Sequence, residues 1–294
     1  GYFKYLAMPA AIDRINFQVN GSNTDGEYRH SKFSVENIDI QALNNFIKGY
    51  AKLQTAENMP MDIQLKSLIN FADLKTIYPI KGYELSGLLN IDLQSKGPFN
   101  KAKKLFPVTT ASINLKNGRI KTAAFEQALD HIQIDADLVN KYGTLKNTRL
   151  NIKPISFQMA DQPFTLKASI RNFENIAYQV TSKGTVDIGK MYRLFAIKGY
   201  QVKGLIFTDL VLKGLQSDAM NGRYGKLQNS GRMTIKELNL QSDLFPRHFL
   251  IKNGIFSFHQ DKMRFDEFNA SYGQSDFKLN GHLNNVINYV LNDK

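Results

Sequence analysis

Apolar and polar side chains alternate with a period of two along most of the chain. Ile132, Ile134 and Leu138 fall on one face of a predicted strand, and acidic and amide side chains fall between them on the other. The same alternation returns at residues 150–152, 155–159, 164–170, 256–258 and 277–283. Short strands joined by tight turns predict an antiparallel, all-β fold.

Turn and helix signals interrupt this alternation. Turns are predicted at residues 116–119, 141–143, 160–163 and 252–254. Short helices are predicted at residues 39–46, 71–78, 98–106, 187–195 and 284–291, and Asp73 and Asp187 are placed to cap the first free amides of two of them. Four glycines flank strands and predict bulges or bends that curl a sheet: Gly82, Gly87, Gly199 and Gly204.

One segment of the chain occurs twice. Residues 81–97 read KGYELSGLLNIDLQSKG and residues 198–214 read KGYQVKGLIFTDLVLKG, and nine of the seventeen positions are identical without a gap. Residues 164–172 and 277–285 form a second, weaker pair. The repeat predicts a partial N-terminal stretch followed by two units of roughly 115 residues, divided as residues 1–61, 62–177 and 178–294.

The alternation has two structural explanations. The apolar face is either the core of a closed β-sandwich or one wall of an open groove. Tandem units with open sheet edges stack into one continuous surface, whereas a simple duplication gives two independent sandwiches. The pattern alone leaves both explanations open.

Three segments resemble the AsmA-like family of bacterial envelope proteins, which is related to TamB and, more distantly, to eukaryotic chorein-type bridge proteins. They are residues 183–214 with the earlier copy at 65–97, the strand–turn–strand step at 113–120, and the closing stretch 265–289. The closing stretch is similar to the family's C-terminal signature through Gly273, Ser275, Asp276 and Gly281, whereas the earlier copy has Pro163 in place of the aspartate. The resemblance covers residues 60–294 well and the first sixty poorly.

The resemblance implies a long, twisted antiparallel sheet, curled into an open groove, whose concave apolar face holds lipid acyl chains. It also implies a non-enzymatic role in phospholipid traffic towards the outer membrane, a periplasmic location with an inner-membrane anchor, envelope protein partners and no cofactor. The alternation supplies the candidate groove residues, which are Ile132, Ile134, Leu138, Ile155, Phe157, Phe164, Leu166, Ile170, Phe256, Phe258, Phe265, Phe277 and Leu279.

Composition limits the kinds of site and of partner that the chain can have. The chain has no cysteine, which excludes disulfides, thiolate metal sites and a cysteine nucleophile. Its net charge of +12 indicates either a solvated polar face or attraction to anionic head groups or phosphates, and the densest basic cluster is Lys101, Lys103 and Lys104. The chain opens at Gly1 without a signal peptide and has no long apolar run, so we expect a fragment whose membrane anchor lies outside it.

Residue patterns for catalysis are weak. The five histidines lack zinc-binding spacing, no G-x-S-x-G or phosphate-loop pattern occurs, and the acidic group Asp261, Asp266 and Glu267 is predicted to be surface charge. We therefore expect no enzyme, metal or cofactor. Two other functions remain: nucleic-acid binding through aromatic–arginine neighbours such as Tyr28 and Arg29, and a compact β-sandwich that binds a polysaccharide or protein partner at the cell surface.

Overall fold

The protein is described by a computed structural model that covers residues 1–78, 80–122, 125–194, 201–241 and 247–286. It is an all-β structure with 67% strand, and fifteen antiparallel strands form one sheet that is not closed. The order of strands across the sheet is their order along the chain, from β1 to β15. The predicted antiparallel, all-β fold with an open sheet is confirmed.

The strands are Arg14–Ser22 (β1), Lys32–Ala42 (β2), Asn45–Gln54 (β3), Met61–Asn70 (β4), Tyr83–Gly97 (β5), Val108–Thr122 (β6), Phe125–Asn140 (β7), Thr148–Met159 (β8), Gln162–Arg171 (β9), Ala177–Asp187 (β10), Gln201–Leu215 (β11), Ser230–Gln241 (β12), Phe249–His259 (β13), Lys262–Tyr272 (β14) and Ser275–Asn284 (β15). The α-helices are Phe71–Ile77 (α1), Ile188–Leu194 (α2) and Gln216–Met220 (α3). Short 3-10 turns occupy Tyr28–His30, Leu145–Asn147 and Tyr224–Lys226.

The strands are 9 to 16 residues long, longer than the alternation predicts. Two predicted turns were wrong, because residues 116–119 lie within β6 and residues 252–254 lie within β13. Both are irregularities inside a strand: Asn117 has a φ of +52°, and the register between β13 and β14 shifts on both sides of Asn253. A bulge adds one residue and interrupts the alternation as a turn does. The predicted turns at 141–143 and 160–163 do separate strands.

The helix predictions were partly confirmed. Residues 71–78 contain α1 and residues 187–195 contain α2, whose described part ends at Leu194. For the prediction at 284–291, Asn284 ends β15 and residues 287–294 lie outside the described residues.

Two predicted helices were wrong. At residues 39–46, β2 runs to Ala42 and a two-residue turn leads directly into β3, because alternation continues through Ile40 and Leu43 takes a turn conformation with φ +55°. Residues 98–106 form a loop closed by an isolated bridge between Asn100 and Leu105.

The repeated segment forms β5 in its first copy and, where it is described, β11 in its second, and in both copies a strand and a helix precede it: β4–α1–β5 and β10–α2–β11. In both copies a cross-strand ion pair joins the same two positions: Lys66 to Asp92 at 3.4 Å and Lys183 to Asp209 at 3.9 Å. The offset of 117 residues therefore holds in the strand register as well as in the sequence.

The helix caps follow the same offset. Asn70 caps α1 by accepting a hydrogen bond from the Ala72 amide at 3.1 Å, and Asp187 accepts one from the Lys190 amide at 2.9 Å. The predicted cap at Asp187 is confirmed. The predicted cap at Asp73 was wrong, since this residue lies in the first turn of α1.

The chain divides into two compact units. Unit 1 consists of Gly1–Arg119, Asp130–Ile155 and Arg171–Glu174, and unit 2 of Ile120–Leu129, Ser156–Ile170 and Asn175–Lys294. The division of the chain at residues 61 and 177 stays a prediction. Within the described ranges, no helix has the length and apolar character needed to cross a membrane.

Candidate functional site

In unit 1 the strand register places apolar side chains on one face of the sheet. Paired residues of antiparallel strands lie on the same face. The pairs Ile40–Ile47 and Leu65–Leu93 therefore mark one face, and charged pairs such as Lys66–Asp92 mark the other. We call the first the apolar face of unit 1, which in β1–β5 comprises Ile15, Phe17, Val19, Phe33, Val35, Ile38, Ile40, Ala42, Ile47, Ala51, Leu53, Met61, Ile63, Leu65, Ile69, Leu89, Ile91 and Leu93.

The apolar face of unit 1 is largely uncovered. Most of its side chains are only half-buried, and at the β1–β2 edge Phe17, Val19 and Phe33 are 56%, 67% and 51% exposed. In a sandwich these side chains would be buried against a second sheet. Alternation cannot distinguish a closed sandwich from an open face, but the exposure of these side chains can. The described part of unit 1 does not form a closed sandwich.

Helix α1 covers one end of this apolar face. Its residues Leu74 and Ile77 lie opposite Ile40 and Ile69 of the sheet, and together with the N-terminal segment they enclose an apolar pocket of about 280 Å³. The amide of Ala10 donates to the Thr76 carbonyl at 2.9 Å and ties that segment to α1. The pocket approaches the lower end of the size range of small-molecule sites, about 300 Å³.

Unit 2 has an apolar face of the same kind. The pairs Val180–Leu212, Met233–Phe256 and Phe258–Met263 lie on one face of its strands. The apolar face of unit 2 comprises Val180, Val186, Ile206, Leu210, Leu212, Met233, Ile235, Ile251, Phe256, Phe258, Met263, Phe265, Phe268, Ala270, Phe277, Leu279 and Leu283.

Neighbouring side chains bury the centre of this face. Ile235, Ile251 and Ala270 are 8%, 6% and 4% exposed, because larger side chains on adjacent strands pack around them. Towards the last strand the covering ends. Leu279 and Leu283 on β15 are 47% and 51% exposed. The apolar face of unit 2 is thus most accessible at β15.

The thirteen predicted groove residues lie in different environments: some are on the apolar face of unit 2, and the others are buried or half-buried in β7–β9. Phe256, Phe258, Phe265, Phe277 and Leu279 lie on the apolar face of unit 2. Ile132 and Phe157 are buried at 6% and 9% exposed, and Phe157 stacks on Phe164 with 5.1 Å between ring centroids. Those left in β7–β9 are half-buried: Ile134, Leu138, Ile155, Leu166 and Ile170.

The opposite face of unit 1 carries cross-strand ion pairs. Lys52 Nζ lies 2.8 Å from Glu36 and Lys96 Nζ lies 2.7 Å from Asp62, and the Tyr50 hydroxyl donates to Asp62 at 3.0 Å. The hydrogen bond from Lys96 lowers the pKa of Asp62, and the one from Lys52 lowers the pKa of Glu36. These pairs keep one face charged and hydrated while the other stays apolar.

The structure corrects one prediction about charge. Asp261 is not a surface charge, because it is only 1% exposed. It lies beside a buried polar group in which the Tyr178 hydroxyl and the Asn229 amide are 3.1 Å apart and Asn229 Nδ2 donates to the Gln260 carbonyl at 2.7 Å. Burial raises the pKa of Tyr178. This group ties β10 to the loops before β12 and β14, which is a structural role.

Two parts of the site are not among the residues predicted from the sequence. One is the exposed row Phe17, Val19 and Phe33, although the alternation of Ile15, Phe17 and Val19 is visible in the sequence. The family resemblance is poor over these strands and therefore gives no indication of the row. The other is the pocket beneath α1, which depends on tertiary packing and has no local signal.

No group of three or more metal-binding side chains occurs among the described residues. Comparisons with protein-family models, with curated proteins and with solved structures found no match to this chain. The apolar faces and the pocket under α1 are the structural features that bear on function.

Proposed function

We propose that the chain is a non-enzymatic lipid-binding segment that holds acyl chains of phospholipids on its apolar sheet faces. The proposal extends to a place in an AsmA-like envelope protein of the periplasm that supports lipid traffic to the outer membrane. One observation supports the proposal above all. Apolar side chains such as Val19 and Leu283 are exposed on sheet faces that would be buried in a closed sandwich. The pocket under α1 offers a half-open apolar recess at one end of the same face.

The energetics favour weak, unspecific binding of alkyl chains. Each buried methylene contributes about 0.8 kcal/mol, so about ten methylenes contribute about 8 kcal/mol. Association costs roughly 4–15 kcal/mol before any contact is counted. At the lower end of this cost the net gain is about 4 kcal/mol, and such weak binding suits a lipid that is held without a dedicated site and can move along the face.

Uptake of a fluorescent fatty acid by the purified chain, together with native mass spectrometry of co-purified phospholipid, tests this function. Val19→Glu in unit 1 and Leu283→Glu in unit 2 each put a carboxylate on an apolar face. We expect about tenfold weaker uptake from their combination, because a charge in contact with an acyl chain is costly to desolvate. Both positions are exposed, so we expect the fold to survive.

The matched control places the same charge on the opposite face of the same strands. Asn20→Glu and His282→Glu add one negative charge each, next to Val19 and Leu283, where paired residues are polar. These variants should take up the probe as the parent does. Equal loss in both sets, or a parent chain free of lipid and inert to the probe, would contradict the proposed function.

A further inference from the structure

Two neighbouring loops of unit 1 are rich in lysine. The loop between β5 and β6 (residues 98–107) and the loop between β7 and β8 (residues 141–147) meet where the Phe106 amide donates to the Gly143 carbonyl at 3.1 Å. Gly143 has a φ of +70°, and a side chain there would come within 2.5 Å of the Phe106 carbonyl oxygen. We call these two loops the basic rim.

The basic rim carries five lysines and no carboxylate of its own. Lys103 is neutralised by Glu57 at 2.6 Å. Lys101, Lys104, Lys141 and Lys146 are exposed, and none of the ion pairs found among the described residues involves them. Four solvated ammonium groups thus lie on two loops that are joined by the hydrogen bond from Phe106 to Gly143.

An exposed aromatic side chain accompanies these charges. Tyr142, at the tip of the second loop, is 63% exposed, and Lys141 Nζ lies 5.4 Å from its ring centroid. In the first loop the half-buried side chains of Phe99 and Phe106 pack edge to face with 5.9 Å between centroids. Tyrosine combines an apolar ring with a polar hydroxyl, and such side chains are enriched at membrane–water interfaces.

We propose that the basic rim docks on the surface of an anionic phospholipid bilayer. Clustered lysines gain affinity from a negative surface potential, about fivefold per lysine, and require no geometric match to a single ligand. Tyr142 enters the head-group layer as the lysines approach it. This docking uses charge and not the apolar faces, so it is separate from acyl-chain binding.

Another polyanion, single-stranded nucleic acid, fits the basic rim less well. Proteins that bind it stack bases on open aromatic faces and use planar arginine groups. On the rim every cation is lysine, and the ring of Tyr142 already has Lys141 within cation–π distance.

Co-sedimentation of the 294-residue chain with vesicles tests the docking. The vesicles are pure phosphatidylcholine or phosphatidylcholine with about 30% phosphatidylglycerol. We expect binding only to the anionic vesicles, and we expect it to disappear between about 0.05 and 0.5 M salt. Replacing Lys101, Lys104, Lys141 and Lys146 together by glutamine should weaken binding at least about a hundredfold.

The control variant removes the same charge elsewhere. Lys116, Lys167, Lys252 and Lys278 are exposed lysines on strands, and their replacement by glutamine should weaken binding by less than about fivefold. An equal loss in both variants, equal binding to neutral vesicles, or tighter binding to single-stranded DNA than to anionic vesicles would overturn the proposal.

Thermal melting followed by circular dichroism checks that the rim variant with all four substitutions folds. If it does not, the single variants Lys101→Gln and Lys104→Gln carry the test, with an expected loss of about fivefold each. Fatty-acid uptake by the rim variant should equal that of the parent. We expect the rim variant to lose vesicle docking and keep fatty-acid uptake, and we expect Val19→Glu to lose uptake and keep docking. Because each variant is measured in both assays, failure of this inference can be distinguished from failure of the proposed function.

Discussion

Gly87 and Gly204 show how single residues shape the sheet. They occupy the same position of the two repeats and have φ values of +118° and +137°. A side chain at Gly204 would lie 2.5 Å from the Leu238 Cα, and the register between β11 and β12 shifts beside it. The repeated glycines were predicted from the sequence to mark bulges or bends. This is confirmed at Gly204, whereas Gly199 lies outside the described residues.

Gly204→Ala should destabilise the protein by about 1–3 kcal/mol, because alanine adopts this backbone conformation poorly and its Cβ meets backbone atoms that cannot move aside. Thermal unfolding followed by circular dichroism measures the effect. Gly225→Ala is the control, since no atom lies within 4 Å of the added carbon there. Equal melting temperatures for the two variants would show that the conformation at Gly204 is not strained.

At the scale of elements, α1 depends on a short polar network at its N-terminus. The Asn70 side chain caps the helix, and the backbone amide of Asn70 donates to Asn45 Oδ1 at 2.6 Å. Asn45 in turn donates to Asp73 at 3.0 Å. The cap thereby links β3, the end of β4 and the helix that roofs the pocket.

Asn70→Ala should cost about 1 kcal/mol of stability, the usual effect of losing a helix cap. Because α1 roofs the pocket, fatty-acid uptake should weaken as well. Lys75→Ala, on the exposed side of the same helix, should change neither quantity. Urea unfolding and probe binding measure both, and an unchanged Asn70→Ala protein would argue against a structural role for this network.

Element prediction succeeded where local chemistry is sufficient and failed where it is not. The helix at 187–195 begins with an aspartate cap and was found. The helix predicted at 39–46 was wrong, because a two-residue turn at Leu43 is too short to interrupt the pattern clearly. Bulges such as Asn253 were mistaken for turns, since both break the alternation in the same way.

At the scale of the whole molecule, alternation was sufficient to predict the antiparallel, all-β fold, whereas the open sheet was expected only from the repeat and the family resemblance. Alternation is identical for a core face and a groove face, and only the exposure of side chains such as Phe33 and Leu283 distinguishes them. The bounds of the repeated segment and the glycine positions came from the sequence. The pocket and the basic rim came from contacts between residues far apart in the chain.

Stability should fall in acid. Hydrogen bonds from Lys96, Lys52 and Arg14 lower the pKa of Asp62, Glu36 and Asp39 in the folded state. Groups with lowered pKa values stabilise the fold fully above their unfolded-state pKa, near 4, and lose this contribution as the pH falls through the folded value.

Urea midpoints measured from pH 6 to pH 3 test this expectation. They should be constant down to about pH 5 and decline below about pH 4. Asp62→Asn should lower the midpoint at pH 6 and make the decline shallower. A midpoint that stays constant to pH 3 in the parent chain would contradict the stabilising role of these pairs.

Strand order also determines how structure is lost. Among the described residues, each strand pairs only with the strands next to it in sequence, so the stability of the sheet is a sum of nearest-neighbour terms, as in repeat proteins. Peeling away β1 or β15 breaks a single interface and leaves the remaining pairings intact. We therefore expect denaturation to proceed by erosion from the two outer strands inward, and a protease that trims the ends should remove one strand interface at a time.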